Sequence, residues 1–332
     1  MLTRLNELYY HKLKVRFTTS KRVEMHCWFG AVLRNRFLKA ADTILDENGT
    51  SLRFLLDKLP LHSEHFMFKR LEGGFPKAFL FRFDEIAPRL SGFSLDPDRV
   101  YTIELIVIGN YSRYINLFSR AIEQMFSEGF GHPIVPMSLI DISEGDDSYL
   151  YCRGRELGEL SYPISFKETL NQFNIGKQYL QLELSFNTPT SLISRPGKVD
   201  ILGYQSRLNN FPSLYQFIRS VCYRLASLIM IYCDPQAFVS EEDMNDAVDA
   251  FVADVAPALL LDASISWQHC YSSPRKEGAT YKMNGYIGRL VFGTVPQIYL
   301  PVLHFASDLA VGNDVNYGLG AFGLRYREEI TD

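Results

Sequence analysis

The feature that most constrains this chain is an order of elements that occurs twice. The stretch 100–108, VYTIELIVI, is β-branched and apolar and reads as a strand, closed by Gly109-Asn110. A helix follows over 111–127 with Tyr114, Ile115, Phe118, Ile122, Met125 and Phe126 at helical spacing. Gly129-x-Gly131 then turns the chain into an apolar strand at 134–142. Further along come a strand at 281–292, a helix at 298–310, Gly318-x-Gly320 and a closing strand at 321–326. Each series starts earlier still, with a strand and a helix: 8–18 and 27–43 in the first half, 178–186 and 211–232 in the second. Strand and helix thus alternate as in βαββαβ units, so the expected class is α+β, a tandem pair of ferredoxin-like domains. The boundaries that follow are 1–145 for the N-terminal domain, 146–172 for a hairpin and linker, and 173–332 for the C-terminal domain.

Smaller elements fill the gaps. A short helix is expected at 51–59 and an extended stretch at 66–83. A helix over 240–253 begins with Ser240 and Asp243, a capping-box pattern with Asp in place of Glu or Gln. The 332 residues and a 47% apolar fraction support a packed core in each half. The longest apolar helix, 211–232, carries Arg219 and Arg224 and does not read as a membrane span. With no apolar signal core at the N-terminus, the expected location is the cytoplasm. Five cysteines without a CxxC pair suggest neither a disulfide framework nor a zinc ribbon.

The formal charge of −4 is unevenly spread. Eight carboxylates and no Lys or Arg lie between Asp234 and Asp262, while residues 1–70 hold 13 basic and 7 acidic groups. A basic N-terminal surface is therefore available for an anionic partner, and a solvated face is the plainer reading of the same charges. Gly318-Leu319-Gly320-Ala321-Phe322-Gly323 satisfies G-x-G-x-x-G in form, but too little chain follows it for the helix that a dinucleotide fold requires. Such glycines permit close backbone approach, either to an anion or within a tight turn.

The stretch 281–323, with Gly285, Gly288, Gly293, Pro301-Val302-Leu303, Gly312 and Tyr317-Gly318-Leu319-Gly320, resembles the C-terminal signature of the Cas6 proteins of CRISPR systems, within the RAMP superfamily. Arg224-Leu225 and Leu228 in the 211–232 helix, Tyr271-Ser272-Ser273 before Arg275-Lys276, and Phe29-Gly30-Ala31-Val32-Leu33-Arg34 are similar to other family segments. The chain departs from the family in having Ala306, and Ala310-Val311-Gly312-Asn313 where many relatives have His-Val-Gly-Lys.

The resemblance implies RNA binding and cleavage of a precursor CRISPR RNA at its repeat, without a metal or cofactor. The ribose 2′-OH attacks the adjacent phosphate, which calls for a base, an acid and a cation. His26, beside Lys21 and Arg22 and just before the first helix, is the first candidate; His62 and His65 are the second, and their spacing lacks a third metal ligand other than Glu64. His132 and His304 are weaker candidates, while His11 and His269 are expected to pack. RNA contacts are expected from Arg275, Lys276 and Lys282, then Arg207, Arg219 and Arg224, with Gly318 and Gly320 in the terminal loop. The implied partners are CRISPR repeat RNA and other Cas proteins, with no membrane. Two alternatives stand beside cleavage: a RAMP subunit that holds RNA without cutting it, and an unrelated ferredoxin-like protein that docks a partner through its acidic segment.

Overall fold

In the computed structural model the described residues are 1–71, 74–83, 93–145, 148–152, 155–156, 158, 160, 162–176, 178–192, 213–255, 258–271 and 282–328. The N-terminal half contains β1 (Tyr9–Thr19), β2 (Val23–Met25), α1 (Phe29–Ala41), α2 (Leu52–Asp57), α3 (Phe68–Leu71), β3 (Phe79–Arg82), β4 (Phe93–Leu95), β5 (Tyr101–Ile108), α4 (Ile115–Glu128) and β6 (Met137–Glu144). Then come β7 (Ser148–Cys152), β8 (Arg155–Glu156), β9 (Ile164–Ser165) and α5 (Phe166–Asn171). The C-terminal half contains β10 (Tyr179–Thr190), α6 (Leu214–Tyr232), α7 (Glu241–Val252), β11 (Leu259–Tyr271), β12 (Lys282–Pro296), α8 (Leu300–Leu309) and β13 (Phe322–Glu328).

The first sheet runs β3-β5-β1-β6, extended by β7 and β8, and the second runs β11-β12-β10-β13. Numbered by their place in each βαββαβ series, both have the order 2-3-1-4 and every pairing in them is antiparallel. This is the ferredoxin-like topology, present twice.

The local reasons are legible. Tyr101–Ile108 alternates where it faces the helices and becomes apolar throughout where both faces are covered. In the first unit, Phe37 of α1 meets Phe79 and Phe81 of β3 and Phe118 of α4, joining both helices to the sheet. In the second, Phe217 of α6 packs on Phe186 of β10 and Phe322 of β13. Helix α6 starts with a reciprocal capping box, Gln216 N–H donating to Ser213 Oγ (3.2 Å) and Ser213 N–H to Gln216 Oε1 (3.3 Å). At α7, Asp243 N–H donates to Ser240 Oγ as the sequence pattern suggests, while the Asp243 carboxylate turns to Arg4.

Three expectations change. The extended stretch at 66–83 is helical at Phe68–Leu71 before β3 begins. The segment after residue 147 is more than a hairpin: β7 and β8 extend the first sheet and β9 pairs with β1 through Tyr9↔Ser165 and Tyr10↔Ile164. The basic excess of residues 1–70 is largely spent on internal pairs, Arg4–Asp243, Lys12–Asp308, Arg16–Asp141 and Lys39–Glu128 among them.

The two units meet along α8. Tyr10 of β1 packs edge-on to Phe305, and Asp308 accepts hydrogen bonds from Tyr10 (2.6 Å), Lys12 (3.0 Å) and Arg82 (2.6 Å). Burial alone would raise the Asp308 carboxyl, but Lys12, Tyr10 and Arg82 together hold it below the usual carboxylate range. Among the described residues no helix is long and apolar enough to cross a membrane.

Candidate functional site

The loop from β2 into α1 touches the C-terminal unit. It is fixed by Trp28, which is buried. The Trp28 backbone N–H donates to the Tyr271 carbonyl at the end of β11 (2.9 Å), and its indole Nε1–H donates to the Tyr317 carbonyl beside the terminal glycine turn (2.6 Å). One residue thus joins the first helix of the N-terminal unit to the long hairpin and the last loop of the C-terminal unit. Gly30 makes the approach possible, since a Cβ there would lie 1.9 Å from the Tyr317 oxygen. Arg34, one turn on, stacks over the Tyr317 ring at 4.7 Å.

His26 sits two residues before Trp28. Burial alternates along Val23, Glu24, Met25 and His26, so Glu24 and His26 project to solvent while Val23 and Met25 enter the core. No hydrogen bond engages the His26 ring among the described residues. Lys21 and Arg22 are exposed on the segment that enters β2, and Arg22 pairs with Glu24 at 3.4 Å. Burial pushes the neighbouring Cys27 thiol up, which argues against a thiolate at this loop.

The other histidines separate clearly. His65 Nε2 bonds to the Pro235 carbonyl (2.9 Å) and its Nδ1 accepts from Met67 N–H (3.2 Å), so neither ring nitrogen is available to take a proton from a substrate. That corrects the expectation of a catalytic His65. His62 is exposed on the segment between α2 and α3. His11 is buried, as expected, against Glu144 (Nδ1 to Oε1, 2.5 Å). His269 is exposed on the edge strand β11 and bonds to Asn284, contrary to the packed position its apolar neighbours suggest. His304 is exposed and lies edge-on to Phe173. His132 is exposed, and its backbone N–H donates to the Glu24 carbonyl (3.3 Å).

The terminal glycines have an internal use. Gly318 (φ +73°) and Gly320 (φ +76°) are buried, and their Cβ positions would meet Phe83 at 2.5 Å and the Val311 carbonyl at 2.0 Å. Their N–H groups donate to the carbonyls of Val315 and Pro189. Neither has a free N–H for a phosphate, so their place among the RNA contacts is corrected to one of packing: they seat the last loop against β3.

Among the expected basic contacts, Arg207, Arg275 and Lys276 lie outside the described residues, and Lys282 begins β12. Arg219 is paired with Asp249 (2.8 Å). Arg224 donates from Nε and Nη2 to the Leu309 carbonyl, and burial lowers its guanidinium to about 10. It lines a groove of about 530 Å³ with Lys77 and the 312–316 loop. In the sequence Arg275 and Lys276 come four and five residues after Tyr271, the residue bonded to Trp28.

Residues 184–322 match the sequence profile of the family described as CRISPR-associated endoribonuclease Cas6. The match covers less than half of the chain, and over those residues the chain is similar to the Cas6 family. No curated protein matches it. Among solved structures, a partial Cas6-RT-Cas1–Cas2 complex aligns at 10% identity with a TM-score of 0.59, over 96% of this chain and 46% of that chain. A Cas6 product complex aligns at 12% identity and TM-score 0.54, over 95% of this chain and 100% of that one. Thermus thermophilus Cas6 aligns at 10% identity and TM-score 0.50, over 96% and 99%. This chain therefore spans less than half of the Cas6-RT-Cas1–Cas2 chain and the full length of the Cas6 chain in the product complex. At these identities the likeness is one of fold.

The site itself was only partly legible in the sequence. His26 stood out by its basic neighbours and its place before a helix. The roles of Trp28 and Tyr317 were missed, because one residue whose backbone and indole N–H groups donate to two distant carbonyls leaves no local pattern.

Proposed function

We propose that this protein is an RNA-binding endoribonuclease that recognises CRISPR repeat RNA and cleaves the precursor by attack of the ribose 2′-OH on the adjacent phosphate. The observation that carries the reading is His26: an exposed imidazole, unengaged among the described residues, in a loop anchored by Trp28 to both Tyr271 and Tyr317. A rigid loop holding a mobile-proton group is what a general base requires. Lys21 beside it can stabilise charge on the phosphorane. Arg275, Lys276 and Lys282, which follow Tyr271 in the sequence, supply positive charge for RNA contacts on this reading. His62 is the second choice for the base.

Repeat RNA is the partner on this reading. Other Cas proteins are proposed as further partners, in keeping with the Cas6-RT-Cas1–Cas2 complex among the structural relatives.

The test is incubation of purified protein with labelled repeat RNA in EDTA, alongside RNA carrying a 2′-deoxy sugar at the cut site. Cleavage of the first and not the second supports 2′-OH attack. Tight binding with no cleavage of either, which the Ala310-Val311-Gly312-Asn313 departure makes a pointed alternative, would assign the chain as an RNA-holding subunit.

A further inference from the structure

One histidine that sequence spacing leaves 106 positions from His26 is carried by the fold to the same strand. After α4, Gly129 (φ +79°) and Gly131 (φ +84°) turn the chain tightly toward β2. A Cβ at Gly131 would lie 2.6 Å from Val23 Cγ1 and 3.0 Å from the Glu24 carbonyl oxygen, so this turn is pressed directly onto β2. The next residue is His132, whose backbone N–H donates to that Glu24 carbonyl. Glu24 is two residues before His26 on the solvent side of the strand, and both imidazoles are exposed. The nearest carboxylate, Glu24, is already paired with Arg22. His132 thus lies beside β2 at Glu24, two residues along the chain from His26, and both imidazoles face solvent.

Cleavage through the 2′-OH needs two proton transfers on opposite sides of the phosphorus, one from the nucleophile and one to the leaving group. From this juxtaposition we infer that His132 is the general acid that serves His26. The assignment rests on the endoribonuclease reading above. The 2′-OH proton passes to the neutral imidazole of His26 as the 2′-oxygen bonds to phosphorus. The P–O5′ bond breaks, and the departing 5′-oxygen takes a proton from the imidazolium of His132. The products are a 2′,3′-cyclic phosphate and a free 5′-hydroxyl, with the two imidazoles left in exchanged protonation states that solvent resets.

A repeat RNA with sulfur in place of the scissile 5′-oxygen separates this role from a structural one, because a thiolate leaves without a proton. His132→Ala should slow cleavage of the ordinary RNA by about 10²- to 10⁴-fold and restore a near wild-type rate on the 5′-thio RNA. His26→Ala should be slow on both. His132→Gln, which keeps a polar side chain on the turn, should behave like His132→Ala. An unchanged rate for His132→Ala on ordinary RNA, or slow cleavage of both RNAs, would overturn the assignment while leaving the nuclease reading intact. Wild-type protein that cuts neither RNA would overturn the nuclease reading and the assignment with it.

Discussion

The two glycine turns of this molecule occupy equivalent places in the two ferredoxin-like units and do different work. Gly129-x-Gly131 presses on its own unit, against Val135 and β2, and leaves the following His132 in solvent. Gly318-x-Gly320 is buried between units, against Phe83 of the first and Val311 of the second. Its N–H groups are consumed by Val315 and Pro189. The same short pattern therefore yields a surface turn with chemistry beside it in one half and an internal hinge-pin in the other. A glycine signature read as a phosphate cradle is, in this fold, first a device for close backbone packing.

The largest effect that would break this contrast is at the junction. Asp308→Asn should destabilise the protein by about 3 kcal/mol, since it leaves Lys12 and Arg82 facing a neutral amide, and denaturant titration measures it. Gly320→Ala should cost about 2–4 kcal/mol, combining a left-handed backbone with a Cβ 2.0 Å from the Val311 oxygen. Gly145→Ala is the control: φ is +71° but the space is open, so about 1–2 kcal/mol is expected from backbone strain alone. Equal losses at Gly320 and Gly145 would contradict a packing role for the terminal turn.

The pH dependence follows from the same junction. The Asp308 carboxyl is held below its unfolded value, so its contribution is fully present above about pH 4 and is lost as pH falls through the lower folded value. Melting temperature should therefore decline on acidification below pH 4, and the decline should be shallower in Asp308→Asn. The smallest effect concerns RNA affinity. Arg275→Ala with Lys276→Ala should weaken binding and reduce the slope of log affinity against log salt by up to about 2, measured by filter binding. Unchanged affinity would remove Arg275 and Lys276 from the RNA contacts.

Much of the fold was readable because each element carries its own signal. The apolar run 100–108, the Phe118-to-Phe126 stripe of α4, the helix expected at 211–232 and the Ser240 helix start lie within a few residues of where the structure has them. What stayed hidden was non-local. The two-residue strand β9 is defined only by its pairing with β1, and α3 is a single turn in a sequence with no clear period. At the site, His26 was visible, but His65 looked equally free until Pro235 and Met67 were seen to occupy its ring. His132 was visible only as a residue after a glycine turn; its proximity to β2 depends on a backbone bond between residues 108 positions apart.

The central claim is that the anchored β2–α1 loop carries the cleaving base. Its most direct test is single-turnover cleavage and equilibrium binding of repeat RNA measured side by side for wild type and His26→Ala. The account predicts a loss of about 10²- to 10⁴-fold in cleavage rate with affinity within about twofold of wild type. Cleavage by His26→Ala at the wild-type rate would contradict it.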